Sequence, residues 1–288
     1  MNIKAGAEDN SGDLYIVATP IGNLKDITYR AVEILQQVDL ILVEDTRNAI
    51  KLLQHYEIRR PMRALHEHNE THLAAEIIAQ IQTGQRVALI SDAGTPLMSD
   101  PGYRLVRDAQ AAGIQAQTIP GACAAIAALS VAGLPTDRFA FEGFLPAKTA
   151  AREQRLQDLS TEPRSLVFYE ARHRIVAFLS SLGEVFGVDR QIAVARELTK
   201  KFETVYRGTA AQVLEQIAGD DMAQKGEFVV IAAGAGEQHD DAGLDRVLLV
   251  LLQDLSVSKA SKIAAQLTGV KKNRVYQRAL QLQQSEDG

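Results

Sequence analysis

Apolar runs of strand length recur along this chain, each followed by a stretch whose apolar positions return every three or four residues. That alternation restricts the fold more than any other feature. Leu14 to Thr19, Leu40 to Val43, Arg86 to Ser91 and Gln115 to Ile119 are apolar nearly throughout instead of alternating with polar residues. Strands of that kind are buried on both faces, which is how a parallel sheet between helix layers reads. Between them the spacing predicts a helix capped by Asp26, with Ile27, Ala31, Ile34, Leu35 and Val38 on one face. Asn69 opens another that stops at Gly84, and Asp100, with Pro101 at the first helical position, starts a third. Strand, helix, strand repetition implies right-handed crossovers and an open α/β sheet.

The pattern then restarts. Phe139 to Phe144, Leu166 to Tyr169, Ile192 to Ala195, Thr204 to Tyr206 and Phe228 to Ala232 read as strands. Helices are expected near Thr149 to Leu159, His173 to Leu182 and Ala210 to Ala218. A hinge near Pro120 to Leu134 joins the two halves, its Ala-rich part reading as a helix packed tightly on a sheet. The stretch Gly234 to Gly243 is small, acidic and aperiodic, a linker signature. The expected division is a flexible N-terminus over 1–12, α/β lobes over 13–121 and 122–236, a linker over 237–243 and a helical unit over 244–288.

At 288 residues, and roughly 150 per domain, one small domain is excluded. Charged residues at 23% and hydrophobic ones at 46% exclude disorder and fibrous repeats. With no Trp and 5% aromatics, a stacking platform for single strands is poorly supplied. The single Cys123 cannot form an internal disulfide, and without a CxxC pair for zinc the expected compartment is a reducing cytoplasm. The polar, acidic opening MNIKAGAEDNSG is wrong for a signal peptide, and no apolar run approaches the roughly 20 residues of a membrane helix.

Strong signatures of other chemistries are missing. There is no GxGxxG after the first strand, no GxxxxGK[ST], no GxSxG and no HExxH. Instead, three small-residue turns leave the C-terminal ends of predicted strands, where open α/β sheets place ligands: Thr19-Pro20-Ile21-Gly22-Asn23-Leu24, Ser91 to Gly102 and Pro120-Gly121-Ala122-Cys123. Any one turn is more simply loop punctuation, but three at one edge point to a site. Glu44-Asp45-Thr46-Arg47 ends the second strand at the same edge, read equally as a catalytic carboxylate or as a charge pair at a helix start. His66, His68 and His72 invite a metal reading that no cysteine supports, so no metal is expected.

The net charge of −5 opposes a nucleic-acid partner, yet its distribution does not. From Leu255 to Gln284 there are six Lys/Arg and no acid, and Ala147 to Arg207 carries 11 Lys/Arg against 8 Asp/Glu. In the first of these segments a helix ending near Gly269 and followed at once by another has helix-turn-helix spacing, although a helical pair that merely covers a core would look similar. Its Lys259, Lys262, Lys271, Lys272 and Arg274 are candidates for phosphate contact. In the second segment, Tyr169 to Arg174 and Arg196 to Lys201 leave strands with clustered charge, usually a solvated face but here a possible phosphate wall.

Taken in order, ATPIGNLKDIT, LVEDTR, HEHNE, LISDAGTPLMSDPG, IPGACAAIAAL, FEGFLP, FYEARHR, RELTKKFET and GEFVVIAAG resemble the ribosomal-RNA branch of the tetrapyrrole methylase superfamily, over residues 13 to 284. The resemblance implies two α/β lobes with S-adenosylmethionine in the cleft between them, a homodimer, and a helix-turn-helix-like C-terminal extension. It also implies 2′-O-methylation of a cytidine in the decoding region of 16S rRNA, within the small ribosomal subunit. Small-molecule members carry GxGPGD after strand one and a GGDP loop; here Ala18-Thr19-Pro20-Ile21-Gly22-Asn23 and Ala93-Gly94-Thr95-Pro96 stand in those places, which favours the RNA branch. Cofactor contacts carried over by position fall on Pro20, Thr95, Met98, Ala122, Cys123, Tyr169, Leu198 and Glu227. A base for the ribose hydroxyl is sought among Glu44, Asp45, Glu197 and Lys200. Arg47, Arg172, Arg174, Arg196 and Lys201 are the expected phosphate contacts beside the helical unit. Two alternatives stay open: a methylase of a tetrapyrrole or other small metabolite, and a non-enzymatic nucleotide- or RNA-binding module.

Overall fold

The computed structural model describes residues 12–66, 69–235, 241–270 and 272–286. Glu67, His68 and Lys271 lie outside them. The chain separates into two compact units, one over 1–160 and 164–233, the other over 161–163 and 234–288.

The first unit holds two five-stranded sheets. In the first sheet β1 (Leu14–Val17), β2 (Leu40–Val43), β3 (Met62–Ala64), β4 (Val87–Ile90) and β5 (Ala116–Ile119) lie in the order β3-β2-β4-β1-β5, every pair parallel. β4 is buried at every residue, as continuous apolarity requires. Helices α1 (Tyr29–Gln37), α2 (Thr46–His55), α3 (Glu70–Gln82) and α4 (Tyr103–Ala111) make the crossovers. They leave two apolar layers, one built around Leu73, Ile77, Ile81 and Leu105, the other around Ala31, Leu35, Leu53 and Ile58.

Three helix starts differ from the sequence expectation. Thr28, not Asp26, caps α1, its hydroxyl accepting the Ala31 N–H at 3.2 Å; Asp26 belongs to a short 3-10 turn, Leu24–Asp26. Asn69 stands at the start of α3 without capping it: its Oδ1 accepts the His66 N–H and its Nδ2 donates to the Ala64 carbonyl, tying the helix to the end of β3. α4 begins after Gly102, not at Pro101, because left-handed Leu97 and Ser99 and the φ of +122° at Gly102 carry the loop onward before the chain can wind. β3, only three residues long, has little pattern of its own, and α2 showed in the sequence only through the charge pair at its start.

The second sheet orders β6 (Phe139–Phe144), β7 (Ser165–Ala171), β8 (Gln191–Arg196), β9 (Thr204–Thr209) and β10 (Glu227–Ala232) as β6-β7-β10-β8-β9. Only β6 with β7 is parallel; β7–β10, β10–β8 and β8–β9 are antiparallel. α6 (Thr149–Leu159), α7 (Ile175–Phe186) and α8 (Ala210–Ala218) cover one face through Leu156, Phe178, Leu179, Val213 and Ile217. α5 (Ala124–Ala132) covers the other: its Ala125, Ala128 and Ala132 let the helix axis approach Val167, Ala193, Val229 and Ile231 closely. α8 starts on a capping box, Thr209 and Gln212 each accepting the other's backbone N–H.

The second unit carries α9 (Asp241–Leu252), α10 (Val257–Thr268) and α11 (Lys272–Glu286). The helical segment thus starts inside the stretch expected to be linker. Leu244 and Leu248 pack on Ala264, Val270, Val275 and Ala279. Gly269, left-handed at φ +72°, ends α10 and turns the chain into α11, the tight helix-to-helix connection expected from the spacing. Bidentate pairing of Arg278 with Asp245 ties α11 to α9. Among the described residues, no helix is long and apolar enough to cross a membrane.

Candidate active site

A cavity of about 400 Å³ opens in the first unit, between loops at the C-terminal ends of the first sheet and the face of the second. Loops after β1 and β4 are laced together by a two-residue bridge, Thr19 N–H to the Gly94 carbonyl at 2.8 Å and Gly94 N–H to the Thr19 carbonyl at 3.1 Å. The Thr95 hydroxyl donates to the Ala122 carbonyl at 3.0 Å, so the third turn is held to the second. The three small-residue turns do meet at one edge.

Two loops from opposite lobes use the same device. Leu97 and Ser99 are left-handed and flank Met98; Glu197 and Thr199 are left-handed and flank Leu198. Both Met98 and Leu198 line the cavity. Non-glycine residues at positive φ cost of order 1–3 kcal/mol each, and here the cost places an apolar side chain on each wall. The first of these loops also touches the second sheet: a methyl group on Gly143 would stand 2.7 Å from the Ser99 hydroxyl.

Tyr169, on β7, sits between Phe141 and Phe144, ring centroids 4.9 and 5.6 Å away, both edge-on. Its hydroxyl accepts the Ala125 N–H at 3.2 Å. Burial first, then the neighbouring Cys123, pushes its pKa well above the ordinary phenol range, so it stays a neutral donor.

Every charged residue lining the cavity is acidic: Glu44, Asp92, Asp100, Glu170 and Glu227. Burial, then Asp100 and Asp92, raises Glu44 above the usual carboxylate range. Burial likewise raises Asp100, against a hydrogen bond from Ser91 and with the Asp92 charge adding to it. Asp92 is anchored, its Oδ1 accepting the Asp45 N–H and its Oδ2 the Asn48 amide at 2.7 Å. Glu170 belongs to the opposite face of β7, where it pairs with Arg174 at 3.1 Å.

The sequence profile of Tetrapyrrole (Corrin/Porphyrin) Methylases matches residues 13–214, the stretch that builds most of both sheets and of this cavity. The chain belongs to the tetrapyrrole methylase family. A second profile, the RsmI C-terminal HTH domain, matches residues 238–283. Among its relatives is the Ribosomal RNA small subunit methyltransferase I of Pseudomonas aeruginosa, 52% identical over 95% of this chain and 99% of that one. The protein of the same name from Escherichia coli O157:H7 is 49% identical over 98% and 100%. Solved structures share the fold at low identity: diphthine synthase (TM-score 0.59, 15% identical, covering 76% and 89%) and uroporphyrin-III-C-methyltransferase from Thermus thermophilus (TM-score 0.54, 20% identical, covering 78% and 95%).

Within this tetrapyrrole methylase cavity the sequence-derived residues separate. Thr95, Met98, Cys123, Tyr169, Leu198 and Glu227 line it. Pro20 is buried in the β1 loop, with its neighbour Ile21 at the wall instead, and Ala122 contributes the carbonyl that holds Thr95. Of the four candidate bases, only Glu44 faces the cavity. Asp45 caps α2 and is clasped by Arg47, which holds it down at about 2. Lys200 Nζ lies 2.8 Å from both Glu197 Oε1 and Glu227 Oε2. Burial opposes its charge, but those two carboxylates outweigh burial and keep it protonated, so the geometry removes Lys200 as a base. For Glu197, too, burial is outweighed, here by Lys200 and the Glu227 N–H, and its carboxyl is held below the usual range.

Arg196 is corrected as a phosphate contact: it is 8% exposed, and its guanidinium donates to the carbonyls of Lys225 and Phe202. Arg174 is similarly engaged, on Glu170 and the carbonyls of Leu145 and Pro146. Arg47, Arg172 and Lys201 are exposed, Lys201 with its ammonium 5.5 Å above the Phe202 ring. Lys259, Lys262, Lys272 and Arg274 are exposed on α10 and α11, whereas Lys271 and His68 fall outside the described residues. Asp92 and Asp100 were legible only as parts of a loop. Asp100 in particular resembled a helix cap, and no spacing rule marks a carboxylate that a left-handed loop will turn inward.

Proposed function

We propose that this chain transfers a methyl group from S-adenosylmethionine to the 2′-oxygen of a cytidine ribose in the decoding region of 16S rRNA, within the small ribosomal subunit. The observation that carries this reading is the cavity's charge: its loops are backbone-rich, its walls apolar, and its charged lining wholly acidic. A ligand of positive charge fits there. The sulfonium and ammonium of the cofactor are such charges, and Thr95, Met98, Cys123, Tyr169, Leu198 and Glu227 would hold it. When bound, the cofactor supplies a methyl already activated for attack, so the chain's own residues mainly orient the nucleophile and exclude water. RNA is the favoured substrate because the relatives at about half identity are named for ribosomal RNA, and because exposed Lys259, Lys262, Lys272 and Arg274 stand on a helix-turn-helix unit. An acidic cavity rejects phosphate, so phosphate contacts belong outside it and only the target nucleoside enters. The protein would act in the cytoplasm as a homodimer.

The test supplies radiolabelled S-adenosylmethionine with small subunits, naked rRNA or uroporphyrinogen and maps the label by nuclease digestion. Label on a cytidine ribose of the small subunit supports the reading. Transfer to the porphyrinogen alone, the outcome favoured by the net charge of −5, would replace it with a small-metabolite methylase.

A further inference from the structure

The cavity contains more acid than binding a single cation requires, and its acids are not equivalent. Glu227 is paired with Lys200, Asp92 with the Asp45 N–H and the Asn48 amide, and Glu170 with Arg174 on the far face of β7. Glu44 and Asp100 have no cation beside them, for no Lys, Arg or His lines the cavity among the described residues. Glu44 directly follows β2, which lies next to β4 in the sheet, at the edge where open α/β folds assemble their chemistry.

We propose that Glu44, alone among the four candidate bases, accepts the proton of the attacking ribose hydroxyl; this step rests on the methyl-transfer reading above. The other three are engaged elsewhere: Asp45 with Arg47 at the start of α2, and Glu197 and Lys200 with each other. In the step, the ribose O–H bond breaks and its proton passes to a Glu44 carboxylate oxygen. The electron pair of the ribose oxygen forms the new O–CH3 bond, while the S–CH3 bond breaks with its pair left on sulfur. Charge balances: the sulfonium's positive charge is lost as the carboxylate is neutralised.

Asp100 is the positioning residue for this acceptor. The charged groups acting on Glu44 are Asp100, Asp92 and Asp45, all acidic, against a single backbone N–H from Asp92. A partly buried carboxylate with other carboxylates near it and no cation beside it binds a proton more tightly than a solvated one, which brings its proton affinity towards that of a useful general base. Burial raises that affinity most and Asp100 next, so Asp100, lining the same cavity, shifts the pH at which Glu44 becomes competent.

The experiment measures single-turnover methyl transfer to small subunits across pH, and cofactor binding by calorimetry, for the wild type and for Glu44→Gln, Glu44→Asp and Asp100→Asn. Glu44→Gln should lose about 100-fold or more in transfer rate while its cofactor affinity changes only a few-fold. Glu44→Asp, which keeps a carboxylate, should recover part of the rate and the acid limb of the profile. Asp100→Asn should move that limb to lower pH, which a merely structural role would not do. Glu44→Gln within threefold of wild type, or an acid limb unmoved in Asp100→Asn, overturns the assignment. If Glu44→Gln fails to fold, a Glu44→Asp variant as inactive as a buffer blank also overturns it. A wild type that labels no ribosomal substrate overturns the reading and this step together, whereas an active wild type with an active Glu44→Gln overturns this step alone.

Discussion

The side chain of Lys200 lies flat across Gly22: a methyl group placed on that glycine would stand 2.5 Å from Lys200 Cγ and 2.7 Å from Cε. Gly22 belongs to the loop leaving β1 and Lys200 to the loop leaving β8, so the stem of one lysine joins the two lobes while its ammonium is held by Glu197 and Glu227. The close approach exists because Gly22, at φ +155°, presents bare backbone.

Gly22→Ala should therefore destabilise the first unit by about 1–3 kcal/mol, the usual cost of overpacking, and weaken cofactor binding. Lys200 is flexible, so Lys200→Ala in the same chain should recover part of the loss. Urea unfolding of both single variants and the double variant measures this; strictly additive losses would show that the two residues do not touch in solution.

Phe168 is fully buried in the sheet face covered by α6, α7 and α8, its ring 5.4 Å from that of Phe178. Phe168→Ala should cost about 3–5 kcal/mol. Since the residue faces away from the cavity, residual folded protein should bind the cofactor with unchanged affinity by calorimetry.

The raised proton affinity of Glu44 has a consequence for stability. A carboxyl raised in the folded state contributes stability below its unfolded value and loses it as pH rises through the folded value. At neutral pH the half-buried, acid-flanked charge therefore opposes folding. Glu44→Gln should melt higher than wild type near neutrality, and the gap should close as pH falls below the ordinary carboxylate range. A Glu44→Gln variant less stable than wild type at neutral pH would contradict the sign.

Phosphate binding through the second unit is tested by salt. Replacing Lys259, Lys262 and Lys272 by Ala should weaken binding to the ribosomal substrate and flatten log K against log salt by about one for each phosphate that is no longer neutralised. Cofactor affinity should not change. An unaltered slope would return these lysines to an ordinary solvated face.

Much of the architecture was legible because it rests on local periodicity. The bounds of β2, β6, α6 and α8 fall where apolar spacing puts them, as does the break at Gly269, since burial, capping and left-handed turns act within a few residues. β3 left only a faint trace, a strand end ahead of Asn69, having only three residues to show a pattern.

The turns at the sheet edge and their small residues could likewise be read along the chain, and with them the general position of a site. Which charges belong to it could not. Glu44 and Asp45 are neighbours in sequence, yet one lines the cavity and the other closes on Arg47. Arg196 looked like a phosphate ligand until its guanidinium was seen to hold the carbonyls of Lys225 and Phe202. Asp100 looked like a helix cap until Leu97, Ser99 and Gly102 delayed the helix. The antiparallel pairing of β7, β8, β9 and β10 was equally hidden, because strand direction depends on which edges meet. Periodicity acts along the chain and determined the elements; charge acts through space, over distances that only the folded arrangement sets, and the tertiary structure alone decided which carboxylate faced the cavity with no cation beside it.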